Sequence, residues 1–180
     1  MSTRDLAYIA LFAAITAALA IFPPIMLPIG VPITAQAMGA MLAGGIIGAK
    51  RGALALLLFA VLVAIGLPLL PGGRGGLGIV MGPSGGFIVS WIAVAFAVGY
   101  LTERMWGKLN FLRLFLISVF GGVVVSYAIG VPWMALAAGV GIDKAILAMA
   151  IYIPGDMIKA AVAAIVSLSI KRAYPIIGAR

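Results

Sequence analysis

Cysteine and histidine are both absent from the 180 residues of this chain. The first absence excludes disulfides, thiol catalysis, cysteine-ligated zinc and iron–sulfur clusters. The second removes the commonest general base and the commonest metal ligand. Acidic residues are nearly absent too: there are four, Asp5, Glu103, Asp143 and Asp156, and charged residues of both signs make up 9% of the chain. This is poor material for a hydrolase or a metalloenzyme. It is also too little polar surface for a water-soluble domain, in which about 25% of residues are charged.

Hydrophobic residues take up the difference, at 65% of the chain, with a mean hydropathy of +1.29. A net charge of +8 would point to nucleic acid in a soluble protein. In a chain this apolar, basic loops that orient a membrane protein are the better account, and no nucleic-acid partner is expected. At about 20 apolar residues per membrane-spanning helix, the length accommodates about six spans and no large extramembrane domain.

The apolar runs separate along the chain. They are Leu6–Phe22, ended by Pro23-Pro24; Ile33–Ala49, stopped by Lys50-Arg51; Gly52–Leu70, ended by Pro71; Phe87–Leu101, closed by Glu103-Arg104; and Leu114 to about Ala138. Gly130 and Pro132 are expected to bend the end of the fifth run. The last stretch, Ala145–Ile170, contains Pro154-Gly155. Proline suits a first helical turn better than a helix interior, so the sixth span is placed from near Pro154, with 145–153 a short outer helix or approach segment. Membrane strands would alternate with period two over about ten residues, and these runs do not. The expectation is an all-α membrane protein, one six-helix domain over residues 1–180.

Charge position sets the orientation. With the N-terminus in the cytoplasm, Arg4, Lys50, Arg51, Arg104, Lys108, Arg113, Lys171, Arg172 and Arg180 fall inside, nine of the twelve basic residues. Arg74 and Lys144 fall in outer loops, and Lys159 lies within span six. That asymmetry follows the positive-inside rule and places both termini in the cytoplasm. The first run is long enough to span and lacks an A-x-A-like site, so it reads as a span and not as a cleaved signal peptide.

Asp156 and Lys159 are the leading candidates for function. An ionisable side chain within a span costs about 2.5–3.5 kcal/mol on insertion scales, and an i, i+3 spacing lets the two share a helix face. Pro154-Gly155 upstream marks a helix start whose free N–H groups can face a polar ligand. The alternative is an ion pair that only fixes packing. The loop GGRGGLGIVMGPSGG, residues 72–86, holds eight glycines in fifteen residues, and reads as a cover over a ligand or as a flexible connector. Its Arg74, Gly76 and Ser84 are counted as candidate contacts. Gly73, Gly75 and Gly78 match G-x-G-x-x-G, but neither a βαβ unit nor the acidic residue that a dinucleotide site needs accompanies them. No GK[ST] occurs, so the chain has no P-loop for ATP. Gln36, with Thr34, near the outer end of span two, suits either helix packing or ligand binding. Tyr152 and Trp91 suit either interface anchoring or ligand stacking. Ala7, Ala10, Ala13, Ala14, Ala17 and Ala18 form small-xxx-small patterns in span one that let another helix approach closely.

Three segments, VPITAQAMGAMLAGGIIG, GGRGGLGIVMGPSGGFI and YIPGDMIKAAVA, together resemble the BioY family, the biotin-binding subunits (S components) of energy-coupling factor (ECF) vitamin transporters. The resemblance covers essentially the whole chain. Ser84 stands where the family more often has Thr, and Ala35 where it more often has Leu. The resemblance implies an ECF S-component-like bundle in a bacterial or archaeal cytoplasmic membrane. It implies no enzymatic activity and no cofactor: biotin is captured near the outer face, and a T subunit with two ATPase subunits, the only ATP-binding parts, energises delivery. Toppling in the bilayer and solitary function without dedicated partners also belong to the family. An AxxxA docking motif in span one maps to Ala10 and Ala14. With biotin as ligand, Asp156 would accept ureido N–H bonds and Lys159 would donate to the ureido oxygen or the carboxylate. An S component for another vitamin is the alternative, followed by a membrane enzyme or scaffold.

Single cysteines at positions 2, 74 and 178 test the orientation in this cysteine-free chain. An impermeant thiol reagent added to intact cells is expected to label position 74 and to spare 2 and 178. The reverse pattern overturns the topology.

Overall fold

The computed structural model describes residues 1–25 and 31–177; Arg180, label position 178 and part of the 23–32 loop lie outside the described residues. Among the described residues regular structure is helical, with only the isolated bridges Ile25–Ile33 and Leu70–Arg74 resembling strand pairing.

Helix α1, Thr3–Ala18, begins at a capping box: Asp5 N–H donates to Ser2 Oγ at 3.2 Å and Ser2 N–H to Asp5 Oδ2 at 2.9 Å. This pairs backbone donors that the first turn leaves open. A 3₁₀ turn, Leu19–Ile21, extends it. Helices α2, Ala37–Ile47, and α3, Ala49–Ala64, meet at Gly48. Gly48 has φ of 86°, in the region that glycine tolerates, and a Cβ there would lie 2.3 Å from Glu103 Oε1. The same carboxylate oxygen accepts from Ala49 N–H at 2.9 Å, so an acid borrowed from another helix caps α3. Lys50 and Arg51 therefore sit in the first turn of α3, not between two spans, and Arg51 Nε pairs with Asp5 Oδ1 of α1 at 2.8 Å.

Helix α3 stops at Ala64, short of the expected Leu70, because the chain turns at Gly66 with φ of 104°. After the short helix α4, Leu77–Met81, comes α5, Gly85–Arg104. Helix α6, Phe111–Val119, passes through a π-helical stretch, Phe120–Val125, into α7, Ser126–Ala138. The irregularity in this run thus lies at Gly121-Gly122 and not at Gly130 or Pro132, through which α7 continues. The two glycines are pressed on neighbours: a Cβ would come within 2.4 Å of Val98 Cγ2 at Gly121 and 2.0 Å of Met41 Cε at Gly122. Helix α8, Ile142–Met149, leads by a 3₁₀ turn into α9, Ile153–Ala173, which starts with Pro154 in its first turn, as the sequence predicts.

Among the described residues, four helical runs are long and apolar enough to cross a membrane: Thr3–Ile21, Gly85–Arg104, Phe111–Ala138 and Ile142–Ala173. The 11 residues of α2 and 16 of α3 reach only about 16 and 24 Å at about 1.5 Å per residue. The six expected runs are all present as helices, but the second and third are a short pair.

Helix α2 is central, packed against α5, α9, α3 and α1, and nine of its residues are buried. Its approach to α5 is backbone against backbone. A Cβ on Gly44 would lie 2.5 Å from Ala95 O, and one on Gly99 would lie 2.3 Å from Ala49 N. The outer surface is apolar, with Leu136 85% and Ile158 67% exposed, as lipid contact requires.

Gly44→Ala is expected to destabilise the purified protein by about 1–3 kcal/mol through overpacking, read as a lowered thermal midpoint in detergent. Gly107→Ala, where a Cβ meets nothing within 4 Å, is the control and should leave the midpoint unchanged.

Candidate functional site

Asp156 lies in the first turn of α9, where a carboxylate also faces the positive end of the helix. It is 6% exposed. Lys159 Nζ, one turn on, donates to its Oδ1 at 2.7 Å, and Tyr127 Oη, from the middle of the α6–α7 run, donates to its Oδ2 at 2.6 Å. Each carboxylate oxygen keeps acceptor capacity beyond these bonds, and the ammonium keeps two of its three donors. The cluster is thus neutral in sum yet can still give and take hydrogen bonds, as a polar ligand requires.

These groups open on a cavity at the end of the bundle where α9 begins. Apolar and aromatic side chains form most of the rest of its wall, among them Ile33, Phe87, Trp91, Met149 and Tyr152, with the hydroxyl residues Thr34 and Ser126. Phe87 meets Tyr127 edge to face at 6.2 Å, and Trp91 leans on Phe59 at 5.9 Å. Tyr152, buried, donates its hydroxyl to the Val31 carbonyl, so it ties the loop before α2 to the start of α9. A second compartment contains Gln36, Arg74 and Ser84, and shares Val31, Pro32, Thr34, Phe87 and Trp91 with the first.

All the candidate contacts but Gly76 therefore line two adjoining compartments: Asp156, Lys159 and Tyr152 on one side, Gln36, Arg74 and Ser84 on the other, Trp91 between them. Arg74 Nε donates to Pro71 O at 3.1 Å. Gln36 is fully buried, and its Nε2 donates to Thr16 O at 3.0 Å and Leu69 O at 2.9 Å. Gly76 lines neither compartment. Its N–H donates to Val63 O at 2.7 Å, so it anchors the glycine loop to α3 and serves as a structural turn with φ of 100°. The loop contains α4, and Trp133 Nε1 on α7 donates to Gly82 O at 3.1 Å.

Tyr127 and Phe87 escaped the sequence reading. The one available signal for Tyr127 was a phenol within an otherwise apolar run, VVVSYAIGV, and such a residue reads equally well as a packing aromatic. Ala10 and Ala14 lie away from the cavity. They share with Ala7 and Ala18 an exposed face of α1, whereas Ala13 is buried in the bundle. No group of acids able to hold a metal ion occurs among the described residues.

The family model described as BioY family matches residues 1–176. The biotin transporter BioY of Rhizobium etli is 50% identical over 186 residues, covering 100% of both chains. The biotin transporter BioY of Rhodobacter capsulatus is 42% identical, covering 96% of this chain and 95% of its own. Among solved structures, the 2.1 Å crystal structure of the S-component for biotin from an ECF-type ABC transporter superposes with a TM-score of 0.89 at 30% identity, over 96% of this chain and 95% of that one. By sequence along nearly its whole length, and by the course of its helices, the chain belongs to the BioY family.

Proposed function

We propose that this chain is the biotin-binding S component of an ECF transporter, and that the two adjoining compartments form its binding site. The observation that carries this reading is the cluster of buried Asp156 with half-buried Lys159 and Tyr127, which opens on a cavity partly walled by aromatic residues. A ureido ring presents two N–H donors beside a carbonyl acceptor. Asp156 can accept from the former and Lys159 can donate to the latter or to the carboxylate. Trp91, Phe87 and Met149 provide apolar surface for the fused rings and the aliphatic chain. Tyr127 fixes the Asp156 carboxylate and so acts as a positioning residue. Arg74, with Gln36 and Ser84, completes the second compartment. The site needs no cofactor, because capture and release of a vitamin breaks no bond.

In this reading the chain crosses a bacterial or archaeal cytoplasmic membrane as one domain over residues 1–180. The short α2–α3 pair completes six crossings with the segments beside it, and both termini are in the cytoplasm. The cavity then lies at the outer face. A T subunit and two ATPase subunits energise delivery, with the T subunit seated on the α1 face bearing Ala10 and Ala14. Support for that seat comes from the exposure of this stripe, since small residues let a partner helix approach closely.

Titration of purified, folded protein with biotin tests the site. Asp156→Asn is expected to lose a charge-assisted bond worth about 1.5–3 kcal/mol, a roughly 10- to 150-fold weakening. Tyr127→Phe should weaken binding less than this. Lys159→Ala should weaken it more than Lys144→Ala, whose lysine is exposed on α8. If Asp156→Asn and Lys159→Ala both bind like the parent, the pair is structural and the site lies elsewhere.

A separate measurement tests docking. Ala10→Leu and Ala14→Leu should leave biotin binding by the isolated protein intact and reduce ATP-driven uptake in cells that carry the partner subunits. Equal loss of binding and uptake would show that the face packs within the chain.

A further inference from the structure

Gln36 occupies an unusual position for a side chain so completely buried. Both N–H groups of its carboxamide are engaged by backbone carbonyls of two separate elements, Thr16 in the last turn of α1 and Leu69 in the turn after α3. Rotating the amide by half a turn would set its oxygen against those two carbonyl oxygens, so the bonds fix which way it faces. Its Oε1 has no hydrogen-bond partner among the described residues, and the residue forms part of the wall of the compartment shared with Arg74. A buried acceptor of this kind calls for a donor.

The attachment to α1 is equally specific. Thr16 is wholly buried, and its hydroxyl is occupied by Phe12 O at 2.8 Å. The last turn of α1 touches the first turn of α2 closely enough that a Cβ on Gly39 would lie 2.5 Å from Thr16 Oγ1. Thr16 faces into the bundle, while Ala10, Ala14 and Ala18 on the same helix are exposed. One residue of the cavity wall thus holds, through its carboxamide, the turn at Leu69 and the inward side of the helix whose outward side carries the alanine stripe.

We propose that Gln36 is the joint through which helix α1 senses occupancy of the cavity. Its two N–H groups hold α1 and the Leu69 turn, and its oxygen accepts a hydrogen bond from the bound ligand. This rests on the substrate reading above. The ureido N–H groups are the donors available on biotin at neutral pH, since its carbonyl and carboxylate oxygens only accept; with Asp156 taking one, Gln36 takes the second. Ligand binding then clamps the last turn of α1 against α2, and a partner seated on α1 must in turn alter the affinity for the ligand, because coupling between sites is reciprocal.

Hydrogen exchange on the purified chain in detergent, with and without saturating biotin, tests the joint. In the parent protein, biotin is expected to slow exchange in residues 153–160 of α9 and in residues 12–21, the end of α1 and the 3₁₀ turn that extends it. At α1 the slowing should be about five-fold or more, the low end of ordinary coupling between sites. Gln36→Leu, titrated to saturation, should keep the slowing at α9 and lose it at α1. Gln36→Asn, which keeps an amide but shortens its reach, should do the same and serves if the leucine variant does not fold. Slowing at α9 without slowing at α1 in the parent overturns this inference alone. So does undiminished slowing at α1 in the folded Gln36 variants. Absence of slowing at both places in the parent overturns the substrate reading together with it.

Discussion

Helix α2 lies at the centre of the bundle because glycine removes the side chains that would hold its neighbours apart. In lipid, apolar side chains gain little by leaving the solvent, so helices associate through close packing. Gly44 of α2 rests on the backbone of α5, and Gly99 of α5 rests on the backbone at the α2–α3 junction. That contact allows an 11-residue helix to be held by α1, α3, α5 and α9 at once. Gln36 and Thr34, just ahead of the first turn of α2, enter the cavity wall, to which α9 supplies Asp156 and Lys159 and α7 supplies Tyr127.

The chemistry of the cavity follows from the cost of a buried charge. A lone carboxylate at this depth would be expensive, and the α9 sequence offers Lys159 one turn away to offset it. The pair alone would leave one carboxylate oxygen without a partner, and Tyr127 of the neighbouring run supplies that bond. The cluster holds its geometry through bonds from two helices, yet keeps acceptor and donor capacity free.

Much of this was legible in the chain itself. Helical runs, the proline start of α9 and the pairing of Asp156 with Lys159 follow from hydropathy, from proline's fixed φ and from i, i+3 geometry, which are all local. The sequence motifs also identified the family to which the chain belongs. The boundaries of the second and third runs differ from those the hydropathy predicts for an equally local reason. Lys50 and Arg51 look like the end of a span, yet they lie in a helix because Glu103, more than fifty residues away in sequence, caps it. Gly130 and Pro132 look like a bend, yet the irregular turn sits at Gly121-Gly122, where neighbouring side chains press on the helix.

The sequence by itself determined that the chain is helical, apolar on its outside and poor in catalytic chemistry, because these properties are sums over residues close together. It also singled out Asp156, Lys159, Gln36 and Arg74 as polar groups in costly or unusual places. Only the tertiary structure decided their partners. Tyr127 meets Asp156, Gln36 bridges α1 and the Leu69 turn, Gly76 is a structural turn outside the cavity, and of the α1 alanines Ala10 and Ala14 face outward while Ala13 faces in. Each of these outcomes depends on which remote helix packs alongside, and side-chain volume at glycine-lined contacts settles that, not hydropathy.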